Sequence, residues 1–399
     1  MKKRYKLAAI ALSASLAICG CAAETQPTED VSSSTDNETV EVDGHQIQLS
    51  MLNPAAYGNI EGLSVEPGTY ISIVGKSADQ PYWKAVEEGA KQAVADLNAH
   101  LGYEGSDKIK FVYSGPSESY DVDEQVNILD EELARYPHAL GIALVDAQSC
   151  GVQFDLAAQN GISVVTFDTT SDYQGVMARI ETDNKAAATE AAKGLAEAMG
   201  EMGEVVIFMD ESKSENAKIR EAAFIEEITA NHPGVSIGNI YYEDDLEELK
   251  ATIISEISTG TYEPVDLEMP EEESDPVITL ASISKEEVYN YIFLRNENMA
   301  GIYATSSFLT EKAVECCEKY GRTDVEIVGF DSSEKIEEAL EEGIVDGIVL
   351  QNPYGMGYAT VVACARSIMN EGNEALVNSG YTWVDTKSIK EEAVQSILY

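Results

Sequence analysis

The sequence predicts an α/β protein built from two doubly wound, Rossmann-like lobes, and three observations lead there. From Gly68 onward, short β-rich runs alternate with amphipathic stretches at helical spacing, the pattern of parallel strands joined by crossover helices. The pattern occurs twice, once over about 70–167 and again over about 205–349. At 399 residues the chain also exceeds the length at which one hydrophobic core divides into two.

The elements follow in chain order. Residues 1–20 read as a lipoprotein signal peptide: Lys2, Lys3, Arg4 and Lys6 precede an apolar stretch over 7–17, and Ile18-Cys19-Gly20-Cys21 resembles a bacterial lipobox. The apolar run falls short of the about 20 residues that a spanning helix needs. The mature chain is therefore expected to begin at a lipidated Cys21, outside the cytoplasm and anchored to the cell membrane. Residues 21–66 are expected to form a flexible acidic tether, since the stretch up to about Asp43 is rich in Thr, Ser, Glu, Asp and Asn and has little to bury. Strands of the first lobe are predicted at 70–74, 109–113, 140–145 and 162–167, with helices of about 11 to 18 residues before or after each. Those of the second lobe are predicted at 205–208, 235–237, 301–304, 325–328 and 344–349. Residues 261–276 break the alternation with three prolines, seven acidic residues and no basic one, which predicts a solvent-exposed acidic insertion.

Charge and cysteine content narrow the function. The formal charge is -45, and removing the four basic residues of the signal makes it -49, with 22 basic against 71 acidic residues. Nucleic acid is excluded as a partner, because binding it needs a basic patch. The charge also opposes adsorption to anionic lipid, so attachment must come from the lipid anchor. Cys150, Cys316, Cys317 and Cys364 show no Cys-x-x-Cys or His-x-His spacing, so no metal site is expected and buried thiols are favoured over disulfides.

Ligands of doubly wound folds bind beyond the carboxyl ends of the strands, which directs attention to the residues after each run. After the first comes Lys76-Ser77-Ala78-Asp79-Gln80-Pro81-Tyr82-Trp83. Tyr82 and Trp83 offer flat faces to a sugar ring, while Asp79 and Gln80 suit its hydroxyls; a hydrophobic staple at a helix start is the other reading. The fourth run ends at Asp168-Thr169, and the second set at Thr305-Ser306-Ser307, Asp331-Ser332 and Gln351-Asn352. A carboxylate can accept from two vicinal hydroxyls, so Asp168 and Asp331 suit a polyol; each could equally cap a helix.

This array resembles the type I periplasmic sugar-binding proteins, the ribose-binding and galactose-binding group. Its most specific pieces are Gln80-Pro81-Tyr82-Trp83 with Gly89-Ala90, Val328-Gly329-Phe330-Asp331, and Gln351-Asn352-Pro353-Tyr354-Gly355-Met356-Gly357-Tyr358. The resemblance implies that Gln80, Tyr82 and Trp83 stack on and bond a sugar, joined by Asp168, Arg220, Asp331 and Gln351. Thr169 stands where the family often has Arg, and Ser306-Ser307 where it has Asn-Asp, which implies a non-standard site. Related binders of furanose-type signals use a Lys near this point, which makes Lys76 a further candidate contact; a surface Lys is the other reading. The family also crosses between lobes three times, which implies a three-segment hinge near 181–183, 351–353 and 379–381. The lobes would then span 67–182 plus 352–380 and 183–351 plus 381–399.

An enzyme finds little support. Neither a Gly-x-Ser-x-Gly elbow, a His-Glu-x-x-His helix nor a phosphate loop occurs, and the four histidines are dispersed. A two-carboxylate glycosidase is the enzymatic alternative. The expectation is a monomeric solute-binding protein with no catalytic residue and no cofactor. It would present a captured monosaccharide or small polyol to the transmembrane subunits of an ABC permease, or, alternatively, to a membrane receptor kinase.

Overall fold

The computed structural model describes residues 43–118, 121–267 and 277–399. Cys21, the signal peptide and the stretch 22–42 lie outside the described residues, as does 268–276 of the acidic insertion.

The chain begins with α1 (Gly44–Ser50), β1 (Tyr70–Val74), α2 (Pro81–Leu101), β2 (Lys110–Ser114), α3 (Val122–Ala134), β3 (Ala139–Ile142), α4 (Gly151–Gln159), β4 (Ser163–Phe167) and β5 (Val176–Glu181). It continues through α5 (Asn184–Ala198), β6 (Gly203–Met209), α6 (Glu215–Asn231), β7 (Val235–Tyr242), α7 (Leu246–Thr259), α8 (Lys285–Arg295), β8 (Met299–Ala304), α9 (Ser307–Tyr320), β9 (Glu326–Phe330), α10 (Glu334–Glu342) and β10 (Gly347–Gln351). It closes with α11 (Pro353–Ile368), β11 (Leu376–Asn378), β12 (Tyr381–Asp385) and α12 (Glu392–Gln395).

Two six-stranded sheets result, in the orders β11-β5-β4-β3-β1-β2 and β12-β10-β9-β8-β6-β7. The orders are equivalent, so the second lobe repeats the wiring of the first. Pairing is parallel except between β10 and β12. Helices cover both faces, which is why β1, β3 and β10 are buried at every residue and read as continuous apolar runs, whereas the edge strand β2 is half exposed. The sequence did not predict β5, β11 or β12: these strands are partly polar and next to the crossovers.

The chain passes between the lobes at 182–183, 352 and 379–380. These passages are tied to one another. The Thr182 hydroxyl donates to Gln351 Oε1 at 2.9 Å, and the Asn352 amide donates to the Ser379 carbonyl at 2.7 Å.

Two expectations need correction. Residues 43–66 are not a flexible tether: α1 is capped by Asp43, and Leu52, Tyr57, Leu63 and Val65 are buried in the core of the first lobe. Their apolar positions share no period, so they become an element only against the surface of α11. The insertion is also fastened at its start. Buried Glu287 accepts from the Tyr262 hydroxyl at 2.8 Å and from the Val265 and Asp266 N–H groups at 3.1 and 2.6 Å, and Tyr262 itself is buried.

Candidate functional site

The carboxyl ends of both sheets face one another, and the lobes are closed on each other there. Asn216 of α6 donates its amide to the Asp168 carbonyl of the opposite lobe at 2.8 Å, and Lys76 lies 3.9 Å from Glu211 across the same gap. Between them is a cavity of about 90 Å³ lined by Lys76, Gln80, Tyr82, Trp83, Asp168, Thr169, Arg220, Ser306, Asp331 and Gln351, together with Asp210, Glu211, Ser214, Asn216, Ala217, Thr305 and Ser307. That volume is small beside the about 300 Å³ at which ligand pockets begin, consistent with closed lobes over a compact solute.

Asp168 and Asp331 hold matching places. Each follows a Phe at the end of the fourth strand of its lobe, β4 or β9, and each has a left-handed backbone, with φ of 57° and 64°. The main-chain N–H of each donates to the next strand, Asp168 to Ile180 O at 2.9 Å and Asp331 to Val349 O at 2.8 Å. This conformation turns both carboxylates off the strand line, and Asp tolerates it better than most residues. Neither serves as a helix cap, the alternative raised from sequence. Ser333 caps α10, and the segment after Asp168 is not helical.

Arg220 is fixed from four sides. Its Nε donates to Asn184 Oδ1 at 2.7 Å, Nη1 to the Thr305 carbonyl at 3.0 Å and Nη2 to Gln351 Oε1 at 3.0 Å, while its plane lies over the Phe330 ring at 4.3 Å. Gln351 in turn donates to both oxygens of Asp331 at 3.0 Å. Burial opposes the Arg220 charge, but Asp210 and Asp331 outweigh it and its pKa is raised. Burial pushes the Asp331 carboxyl above its usual range, against the pull of Arg220, and burial likewise raises Glu211 against Lys76. Lys76 is buried and pairs with Asp168 at 3.1 Å. Four carboxylates thus face two cations, a balance that suits an uncharged, hydroxyl-rich ligand and repels anions.

Other expected residues play different parts. The Ser77 hydroxyl accepts from the N–H groups of Asp79 and Gln80, at 3.3 and 3.4 Å, and this turn sends Asp79 outward, where it pairs with Lys84 at 3.6 Å and is 86% exposed. Asp79 is therefore not brought into the cavity. Trp83 reaches the cavity but is packed in the first lobe's core against Phe167, so the staple reading accounts for much of its surface. Thr169 lines the cavity with its hydroxyl already donated to Leu144 O at 2.6 Å. Ser306 caps α9.

Asp210, Glu211, Asn216 and Tyr399 were missed. The first two directly follow β6, so the strand-end rule would have found them had it been applied there. Asn216 begins a helix, and Tyr399 follows the last one, where no periodic signal points inward.

All four cysteines among the described residues are free and buried. No group of metal-ligating side chains and no helix long and apolar enough to cross a membrane occurs among the described residues.

Two doubly wound lobes closed over a polar, aromatic-walled cavity at facing strand ends define a cleft-type binder of small solutes. The comparisons agree. The chain matches the periplasmic binding protein domain over residues 71–267 and 281–372 and belongs to that family, whose members bind substrates for transporters and are not enzymes. Its place of work is accordingly extracytoplasmic. A D-apiose import binding protein of Actinobacillus succinogenes is 22% identical over 300 residues, covering 75% of this chain and 81% of the relative. Among solved structures, a carbohydrate transporter solute-binding protein from Agrobacterium radiobacter in complex with D-arabinose has a TM-score of 0.65 at 22% identity, covering 83% of this chain and 99% of its own. A glucose-galactose binding protein from Geobacillus stearothermophilus has a TM-score of 0.62 at 21% identity, covering 81% of this chain and 99% of its own. At these identities the structural likeness carries the fold alone.

Proposed function

We propose that the chain is a lipid-anchored solute-binding protein that captures a monosaccharide or similar small polyol between its lobes and delivers it, in the closed form, to an ABC permease. The observation that carries this reading is the cavity itself: acceptors from Asp168, Asp210 and Asp331, donors from Lys76 and Arg220, and a Tyr82 wall converge from both lobes on a space for one compact molecule. The names of the relatives, D-apiose import binding proteins, support a small sugar. Closure is driven by whatever contacts the ligand makes only with the closed lobes.

Attachment through Cys21 is supported by the basic start and the short apolar run before it. Replacing Cys21 with Ala should move the protein from the membrane fraction to the soluble one; continued membrane association would remove the anchor from the account. For the ligand, the soluble form beginning at residue 43 is screened by thermal shift against neutral pentoses, hexoses and polyols alongside sugar acids. A neutral ligand at a hundredfold excess over Kd should stabilise by about 2.7 kcal/mol. Stabilisation by sugar acids alone would contradict the charge argument.

A further inference from the structure

The cavity has a neighbour, a groove of about 310 Å³ lined by His45, Pro81, Tyr354 and Tyr399, among others. The side chains of Tyr82 and Tyr399 meet between the two spaces. The Tyr399 hydroxyl donates to Asp331 Oδ1 at 2.6 Å, and its ring meets Tyr82 edge-on at 5.8 Å and 73°. Asp331 and Tyr82 line the cavity while Tyr399 itself lines the groove. The ring is held by its backbone: the Tyr399 N–H donates to the Ser332 hydroxyl oxygen at 3.3 Å, and that hydroxyl donates to the Tyr399 carbonyl at 3.1 Å.

We propose that Tyr399 is a specificity-determining residue, the end wall that confines the ligand to a single small sugar and shuts the groove to anything longer. The proposal rests on the reading of the cavity as a sugar site. Two features of the geometry support it. The phenol takes an acceptor site on Asp331 Oδ1 and Gln351 bonds both oxygens, so the acceptor capacity left to a ligand is concentrated on Oδ2. Beyond the ring, half-exposed His45 lies stacked on buried Tyr354 at 4.0 Å and 7°, and its outer face is a flat surface on which a second sugar could rest if the wall were absent.

The test is calorimetric titration of the soluble chain, as wild type, Tyr399→Ala and Tyr399→Phe, with the preferred monosaccharide and with disaccharides that contain it in different linkages. Thermal melts come first, and Tyr399→Leu replaces the Ala variant if that one does not fold. The wild type should prefer the monosaccharide by more than tenfold. Tyr399→Ala should lower that preference at least tenfold for one linkage, and Tyr399→Phe, which keeps the ring, should preserve it. A general loss of packing would weaken both ligands together and leave the ratio unmoved. An unchanged ratio in Tyr399→Ala, with wild-type sugar binding intact, overturns the wall while the sugar reading stands. Failure of the wild type to bind any sugar overturns both.

Discussion

At the scale of single residues, Asp331 concentrates the account. It is half-buried, left-handed in backbone, and bonded to Gln351 and Tyr399, with a carboxyl pushed up by desolvation. Asn tolerates the backbone but turns one of the two oxygens that accept from Gln351 into a donor and removes a counter-charge of buried Arg220. Asp331→Asn should therefore lower the melting temperature modestly and weaken ligand binding by more than tenfold, about 1.4 kcal/mol, as read by titration calorimetry. Affinity within a factor of two of wild type would remove Asp331 from the site. Trp83 makes the opposite case. Its burial against Phe167 predicts that Trp83→Ala costs about 3–5 kcal/mol of stability, visible in denaturant melts, so any loss of affinity in that variant reports packing as much as contact. The strand-end rule made Asp168, Asp331 and Gln351 legible because chain direction alone carries them to the cleft. Asp79 misled because one turn, set by the Ser77 hydroxyl, decides which way it faces.

At the scale of elements, α2 and α11 position the aromatic wall. They approach so closely that a methyl group on Gly357 would sit 2.0 Å from the Val86 carbonyl, and one on Gly89 1.9 Å from that of Tyr354. Gly357→Ala must push the helices apart, and we expect a loss of about 1–3 kcal/mol in a denaturant melt. Stability equal to wild type would mean the helices are not fixed at this spacing. The segment 43–53 is a strap across the crossovers. Its Gln48 carbonyl accepts from Asn352 at 2.7 Å, Asn53 pairs with Asn378, and Ile47 and Met51 pack on the second lobe while Leu49 and Leu52 pack on the first. The sequence showed strong alternation within each lobe but not this strap. An element with no internal period and partners some 300 residues away in the chain leaves no local pattern to read.

For the whole molecule, the duplicated sheet order and the excess of acid set behaviour. Burial, and Glu326 beside it, push the Asp346 carboxyl up to about 7, against the Ile327 N–H that it accepts at 2.8 Å. Its unfolded value is about 3.9, so the folded state holds this proton more tightly. The resulting stability is present below about pH 4 and is lost as the pH rises to about 7, with no further loss from this group above that. Melting temperatures should fall over that window, and Asp346→Asn, which cannot lose the proton, should flatten the fall. An identical pH profile in the variant would show that Asp346 is not the group responsible. Charge also bears on the ligand, because the acidic cavity sits in a chain of formal charge -45 that repels anions within a screening length of about 10 Å.

The central claim is that a small, uncharged polyol binds between the lobes. Titration calorimetry of the soluble chain from residue 43 with D-apiose, D-arabinose and their acid derivatives addresses it most directly. The account predicts saturable one-site binding of a neutral sugar, abolished or weakened more than tenfold by Asp331→Asn. Binding that is undiminished in that variant, or confined to the acids, would contradict it.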